Sequence, residues 1–80
     1  MNEKLDEIRN IVAEISELEP EEITDEGLLK DDYSIDSMRM IEILATLEKS
    51  YNIKIAQDEL PEMTSVKNIY NVVNKYTKWS

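Results

Sequence analysis

Ile35-Asp36-Ser37-Met38-Arg39-Met40-Ile41-Glu42-Ile43-Leu44 is the stretch in which an acidic loop turns into an amphipathic helix. Met40, Ile43, Leu44, Leu47 and Tyr51 follow at steps of three, one, three and four, the spacing of a buried face on a helix of roughly residues 37 to 51. Met38, Ile41 and Ala45 form a second stripe rotated toward the polar side. That stripe is either the edge of one broad buried face or a partly exposed apolar patch beside Ser37. Asp36 and Ser37 are both residue types that cap a helix N-terminus, a contact worth about 1 kcal/mol.

Upstream, Leu5, Ile8, Ile11, Val12, Ile15 and Leu18 recur at steps of three and four, predicting a first helix of roughly residues 3 to 18. Glu3, Asp6 and Glu7 suit the positive end of its dipole, and Pro20 stops it, because the residue before a proline is pushed out of helical geometry. From Glu19 to Asp36 the pattern breaks into polar runs around the chain's one glycine, Gly27. Ile23, Leu28, Leu29 and Ile35 are the apolar side chains that would pin this long loop to the helices, so it is expected to be ordered.

Downstream, Tyr51-Asn52-Ile53-Lys54-Ile55-Ala56 alternates like a strand, yet no other segment offers it a pairing partner. It is therefore read as an extended connection whose isoleucines plug the core. Gln57 to Leu60 suit one short helical turn before Pro61, and a last helix runs from about Ser65 to Tyr76, entered through Thr64 or Ser65. Val66, Ile69, Val73 and Tyr76 are expected on its inner face. The sum is an all-α fold in a single domain over residues 1 to 80: a small bundle of three long helices and one short one, with a long ordered loop between the first two.

Composition removes several functions. The eighty residues hold no cysteine, which excludes a disulfide framework, a thiolate nucleophile and a zinc-thiolate site. They hold no histidine either, so the usual general base near neutral pH is missing. A formal charge of -9 argues against binding nucleic acid. The excess is local: thirteen acids and four bases lie between Glu19 and Glu62, while the flanks are neutral. Such a face prefers basic partners. Asp25, Glu26, Asp31, Asp32 and Asp36 lack the alternating ligand spacing and central glycine of an EF-hand loop, so no metal site is expected. The start Met1-Asn2-Glu3-Lys4-Leu5-Asp6-Glu7 lacks the basic opening and apolar run of a signal peptide, and no stretch is apolar enough to enter a bilayer. The expectation is a cytoplasmic monomer.

A serine hydroxyl is a weak nucleophile without a base, so Ser37 reads better as an acceptor modified by another enzyme than as a catalytic group. Nearly the whole chain resembles the acyl carrier proteins: helix, long acidic loop, Asp-Ser-helix, extended connection, short turn and final helix occur in that family's order. Leu29-Lys30-Asp31-Asp32-Tyr33-Ser34-Ile35-Asp36-Ser37-Met38 is similar to its leucine, spacer, Asp-Leu-Gly-x-Asp-Ser-Leu pattern, with Asp32, Asp36 and Ser37 matching. Glu42, Leu47 and Glu48 match its recognition helix, Ile53 and Ile55 its apolar exit, and Met63-Thr64-Ser65-Val66 its entry to the last helix.

The resemblance implies that a phosphopantetheinyl transferase moves 4'-phosphopantetheine from coenzyme A onto Ser37, beside Asp36, and that acyl groups ride as thioesters on the arm's thiol. It implies a carrier and not an enzyme, serving acyl-transferring and synthase enzymes with basic docking patches in fatty-acid or polyketide-type synthesis. Asp36, Glu42 and Glu48 would supply charge to such partners, Met38 and Ile41 apolar contact, with Arg39 tuning the face. Leu47, Ile55, Met63 and Ile69 would line a space for the acyl chain. The chain departs from the family pattern at Ser34, usually glycine, at Tyr33 and Met38, usually leucine, at Arg39 and Lys49, where acids are common, and at Ala56, often proline. The two bases weaken the negative stripe and give weight to a specialised polyketide or peptide pathway. An aminoacyl or peptidyl carrier, including the D-alanyl type, and an acidic helical adaptor without the arm remain as alternatives.

Overall fold

Apolar periodicity becomes three long helices in the computed structural model, which describes residues 3–77: α1 (Glu3–Ser16), α3 (Ser37–Tyr51) and α4 (Val66–Thr77). A one-turn helix, α2 (Leu29–Tyr33), lies in the long loop, and tight 3-10 turns occupy Pro20–Glu22 and Gln57–Glu62. The ends of the expected domain, residues 1–2 and 78–80, lie outside the described residues. No strand forms among the described residues, and Ile53–Ile55 is an extended connection that sinks Ile55 into the core. Helix α1 packs against both α3 and α4. The shared core joins Ile8, Val12 and Ala13 of α1 to Ile43, Leu44 and Leu47 of α3 and to Val66, Ile69, Val72 and Val73 of α4.

Helix α1 ends two residues before the expected Leu18. Glu17 takes a left-handed conformation (φ 59°), and the Leu18 amide folds back to donate to the Ala13 carbonyl at 2.9 Å. That closure satisfies an orphan carbonyl before Pro20 can act. The turn at Gln57 also outruns its expected end, passing through Pro61 to Glu62, because proline's fixed φ suits 3-10 backbone.

The loop before α3 is ordered, as its apolar residues suggest. Ile23, Leu29 and Ile35 are buried, whereas Leu28 is 44% exposed and does not help to pin it. Backbone bonds hold the loop at two further points: the Leu29 amide donates to the Thr64 carbonyl and the Lys67 amide to the Asp25 carbonyl, both at 2.9 Å. The Tyr33 hydroxyl accepts the Thr24 amide at 3.0 Å and lies so close to Gly27 that a Cβ there would fall 2.5 Å from it. Helix α2 was invisible to periodicity because five residues make little more than one turn. Ser34 closes it with φ 57°, a left-handed position that glycine fills without a steric cost.

Ser65, itself buried, caps α4 by accepting the Asn68 amide at 3.2 Å. Val72 belongs to the inner face and Tyr76, expected there, does not: it is 36% exposed. Its ring leans toward the 57–62 turn, where the hydroxyl donates to Glu59 Oε2 at 2.9 Å. Lys75 Nζ holds the other oxygen of Glu59, also at 2.9 Å. These two bonds, Lys75 first, hold the Glu59 carboxyl below its ordinary range, and Glu59 in turn raises Lys75. At the far end of the bundle, the Tyr51 hydroxyl donates to Glu7 Oε1 at 3.0 Å, tying α3 to α1. Burial first, and then this carboxylate, push the phenol upward.

Two expectations follow. Ser34→Gly removes a left-handed serine and stabilises the fold by about 1 kcal/mol, raising the melting midpoint by about 4–8 °C. Thermal melts followed by circular dichroism check it. The fold favours ionised Glu59, so its contribution is fully present above the ordinary carboxylate pKa and is lost as pH falls through the lowered folded value. Glu59→Gln therefore lowers the urea midpoint at pH 7, and the gap from wild type closes in acid. A gap that stays constant with pH overturns this role.

Candidate functional site

Asp36, not Ser37, is the cap of α3. Its backbone is extended (φ -85°, ψ 179°) and its Oδ1 accepts the Arg39 amide at 2.9 Å. Ser37 is thereby the first helical residue. It is exposed, and among the described residues nothing holds its hydroxyl by a hydrogen bond. The hydroxyl stands at the positive end of a fifteen-residue helix, where the dipole and unpaired amides of the first turn favour an attached anion.

Beside it opens a groove of about 420 Å³ between α2, α3 and the 57–62 turn. Leu29, Ile35, Met40, Ile41, Leu60 and Met63 give it mostly apolar walls, and Ser37, Lys30 and Asp31 also border it. Of the four residues expected to line an acyl-chain space, only Met63 reaches this groove. Leu47, Ile55 and Ile69 are buried in the core. Leu28, Met40 and Leu60 went unread as liners, because inner-face spacing describes a groove wall and a closed core equally well.

The expected docking residues separate into two groups. Met38 is 73% exposed and Ile41 45%, and with exposed Glu42 and Ala45 they follow Ser37 along the solvent side of α3. The second stripe is thus an exposed patch. Arg39 and Glu48 are engaged within the fold. Arg39 turns toward the end of α1, where Nη1 donates to the Ile15 carbonyl at 2.9 Å and Nη2 lies 3.5 Å from Glu17. It thereby supplies a cation to a helix C-terminus. Glu48 Oε2 accepts the Ile55 amide at 2.7 Å, fixing the chain as it leaves α3. Spacing alone could not show this, because both residues lie beside the stripe and their partners are 24 and 7 residues away.

Residues 6–73 match the family described as "Phosphopantetheine attachment site". The chain belongs to this family of acyl carrier proteins. It is 41% identical over 69 residues to the Polyketide-8 synthase acyl carrier protein 1 of Streptomyces avermitilis, covering 86% of this chain and 82% of that one. To the acyl carrier protein of Buchnera aphidicola it is 35% identical over 69 residues, covering 86% and 88%. Among solved structures, a chain in "The ishigamide ketosynthase/chain length factor" matches with a TM-score of 0.82 at 34% identity, covering 99% of this chain and 100% of that chain.

The protein is accordingly a carrier and not an enzyme, and its cofactor is covalent 4'-phosphopantetheine. The residues fit that group. A free, exposed hydroxyl at a long helix's N-terminus suits a phosphodiester, and the adjoining groove has room along its rim for a flexible arm. Among the described residues no group of three or more acidic side chains is arranged to hold a metal ion.

One structural role at this site is directly measurable. Glu48→Ala strips the Ile55 amide of its charged acceptor and destabilises the fold by about 1–2 kcal/mol, read from urea denaturation.

Proposed function

We propose that Ser37 accepts the phosphopantetheine arm and that residues 1 to 80 act as a single carrier domain for fatty-acid or polyketide-type synthesis. The observation that carries this is the free Ser37 hydroxyl, exposed because Asp36 has taken the capping bond. When attached, the arm supplies a thiol that holds acyl groups as thioesters. The chain's own residues orient and present it. Asp36 fixes the helix start, Met38, Ile41 and Glu42 meet partner enzymes, and the groove bounded by Met40, Leu60 and Met63 shelters apolar cargo. Arg39 and Glu48 serve the same surface indirectly, by holding α3 in place at each end.

Its partners are a phosphopantetheinyl transferase that draws on coenzyme A, and acyl-transferring and synthase enzymes with basic docking patches. Weak, salt-sensitive docking suits a shuttle, and an acidic surface speeds encounter with such patches. The polyketide-synthase relative and the chain from the ketosynthase/chain-length-factor structure favour synthase partners over aminoacyl or peptidyl ones. The protein works as a monomer in the cytoplasm. No helix among the described residues is long and apolar enough to cross a membrane.

Incubation with coenzyme A and a broad-specificity phosphopantetheinyl transferase tests the attachment. The intact mass rises by one phosphopantetheine in the wild type and stays unchanged in Ser37→Ala, while both give the same circular-dichroism spectrum. A folded wild-type chain that gains no mass refutes the proposal and leaves an acidic helical adaptor.

A further inference from the structure

The outer face of α3 carries fewer acids than the overall charge suggests, and it carries one of each sign. Met38, Glu42, Ala45 and Lys49 are spaced by four, three and four residues, so they share one helical stripe, and all four are exposed. The other charges of this helix and its cap are engaged elsewhere. Asp36 Oδ1 holds the Arg39 amide, Glu48 Oε2 holds the Ile55 amide at 2.7 Å, and Arg39 reaches the Ile15 carbonyl on the α1 side.

Glu42 and Lys49 are the two charges on the stripe itself. Glu42 lies 3.7 Å from Arg39 in a pair open to solvent on both sides, a contact weak enough to be exchanged on docking. Lys49 has no carboxylate within ion-pair distance among the described residues. The two stand two helical turns apart, about 10 Å along the axis. Eleven of the thirteen acids of the central segment therefore lie off α3, in the 19–36 loop and the 57–62 turn.

We infer that this stripe is a two-sign docking face, and that it fits a ketosynthase surface with a cation opposite Glu42, a carboxylate opposite Lys49 and an apolar socket for Met38 and Ile41. The inference rests on the carrier reading and adds the polarity of the partner. A wholly basic patch would leave the Lys49 ammonium facing like charge, which is unfavourable at close range. The opposite-sign arrangement also sets direction along α3. A partner that reads Glu42 and Lys49 in order can seat the helix one way round only, with Ser37 toward its active-site entrance.

The two arrangements differ in the sign of one mutational effect. With a wholly basic partner, Lys49→Glu adds an attractive charge and lowers KM. With the two-sign partner it raises KM. The measurement is the KM for the loaded carrier with the ketosynthase and chain-length-factor pair of its own biosynthetic system, at low salt, with full loading of each variant verified by intact mass. Lys49→Glu and Glu42→Lys each raise KM about five-fold. The double swap Glu42→Lys/Lys49→Glu, which restores the net charge and reverses the polarity, does not recover it. Lys49→Arg stays near wild type.

Lys49 also lies in the last turn of α3, where a base complements the helix dipole, so melting midpoints are compared alongside. A KM that follows stability across the variants, or that falls in Lys49→Glu, overturns the inference while leaving the carrier reading intact. A wild-type chain that is never loaded overturns both, whereas one that is loaded and that the ketosynthase pair does not elongate overturns the inference alone.

Discussion

The hydrogen bond from the Arg39 amide to Asp36 sets where α3 begins, and the site depends on that choice. A helix must satisfy or expose the amides of its first turn, and a side-chain oxygen just ahead of it is the cheapest local acceptor. Two neighbouring residues could have served. Because the carboxylate does, the hydroxyl of Ser37 is left without a partner among the described residues, on the surface, at the positive end of the helix dipole. A contact of about 1 kcal/mol separates a capping serine from one that another enzyme can reach.

The position of α3 depends on contacts made far from Ser37 along the chain. Arg39 binds the end of α1 through the Ile15 carbonyl, Tyr51 binds α1 through Glu7, and Glu48 fixes the exit through the Ile55 amide. Each uses a charged side chain to satisfy a polar group where neighbouring backbone could not. These charges therefore contribute more to framing the docking helix than to the surface it offers. The acidity of the molecule is concentrated in the segments that flank α3, where it acts at longer range and is screened by salt.

Order in the long loop comes from packing and hydrogen bonds, in a chain with no cysteine to form a disulfide. Ile23, Leu29 and Ile35 bury against the bundle, Arg9 pairs with Asp25, and two backbone bonds stitch the loop to the entry of α4. In a chain this small each buried isoleucine or leucine is a sizeable share of total stability, about 1.5–3 kcal/mol apiece. The groove beside Ser37 is bounded by two short helical pieces, α2 and the 57–62 turn, the latter clasped to α4 by Lys75 and Tyr76. Its floor is core and its rim is loop. That combination leaves a hydrophobic space next to the modified residue without exposing a large apolar surface.

From the sequence alone came the three long helices, the extended passage through Ile53 and Ile55, the ordered loop and the serine at the mouth of α3. These features follow from local periodicity and capping chemistry, which are properties of neighbouring residues. Tertiary structure decided the rest. It formed α2, placed Val72 inside and Tyr76 at the edge, and buried Leu47, Ile55 and Ile69 in the shared core. It also turned Arg39 and Glu48 to structural work. Such outcomes depend on which groups meet across 7 to 44 residues of chain, and helical spacing records only which face a side chain occupies, not what waits opposite it.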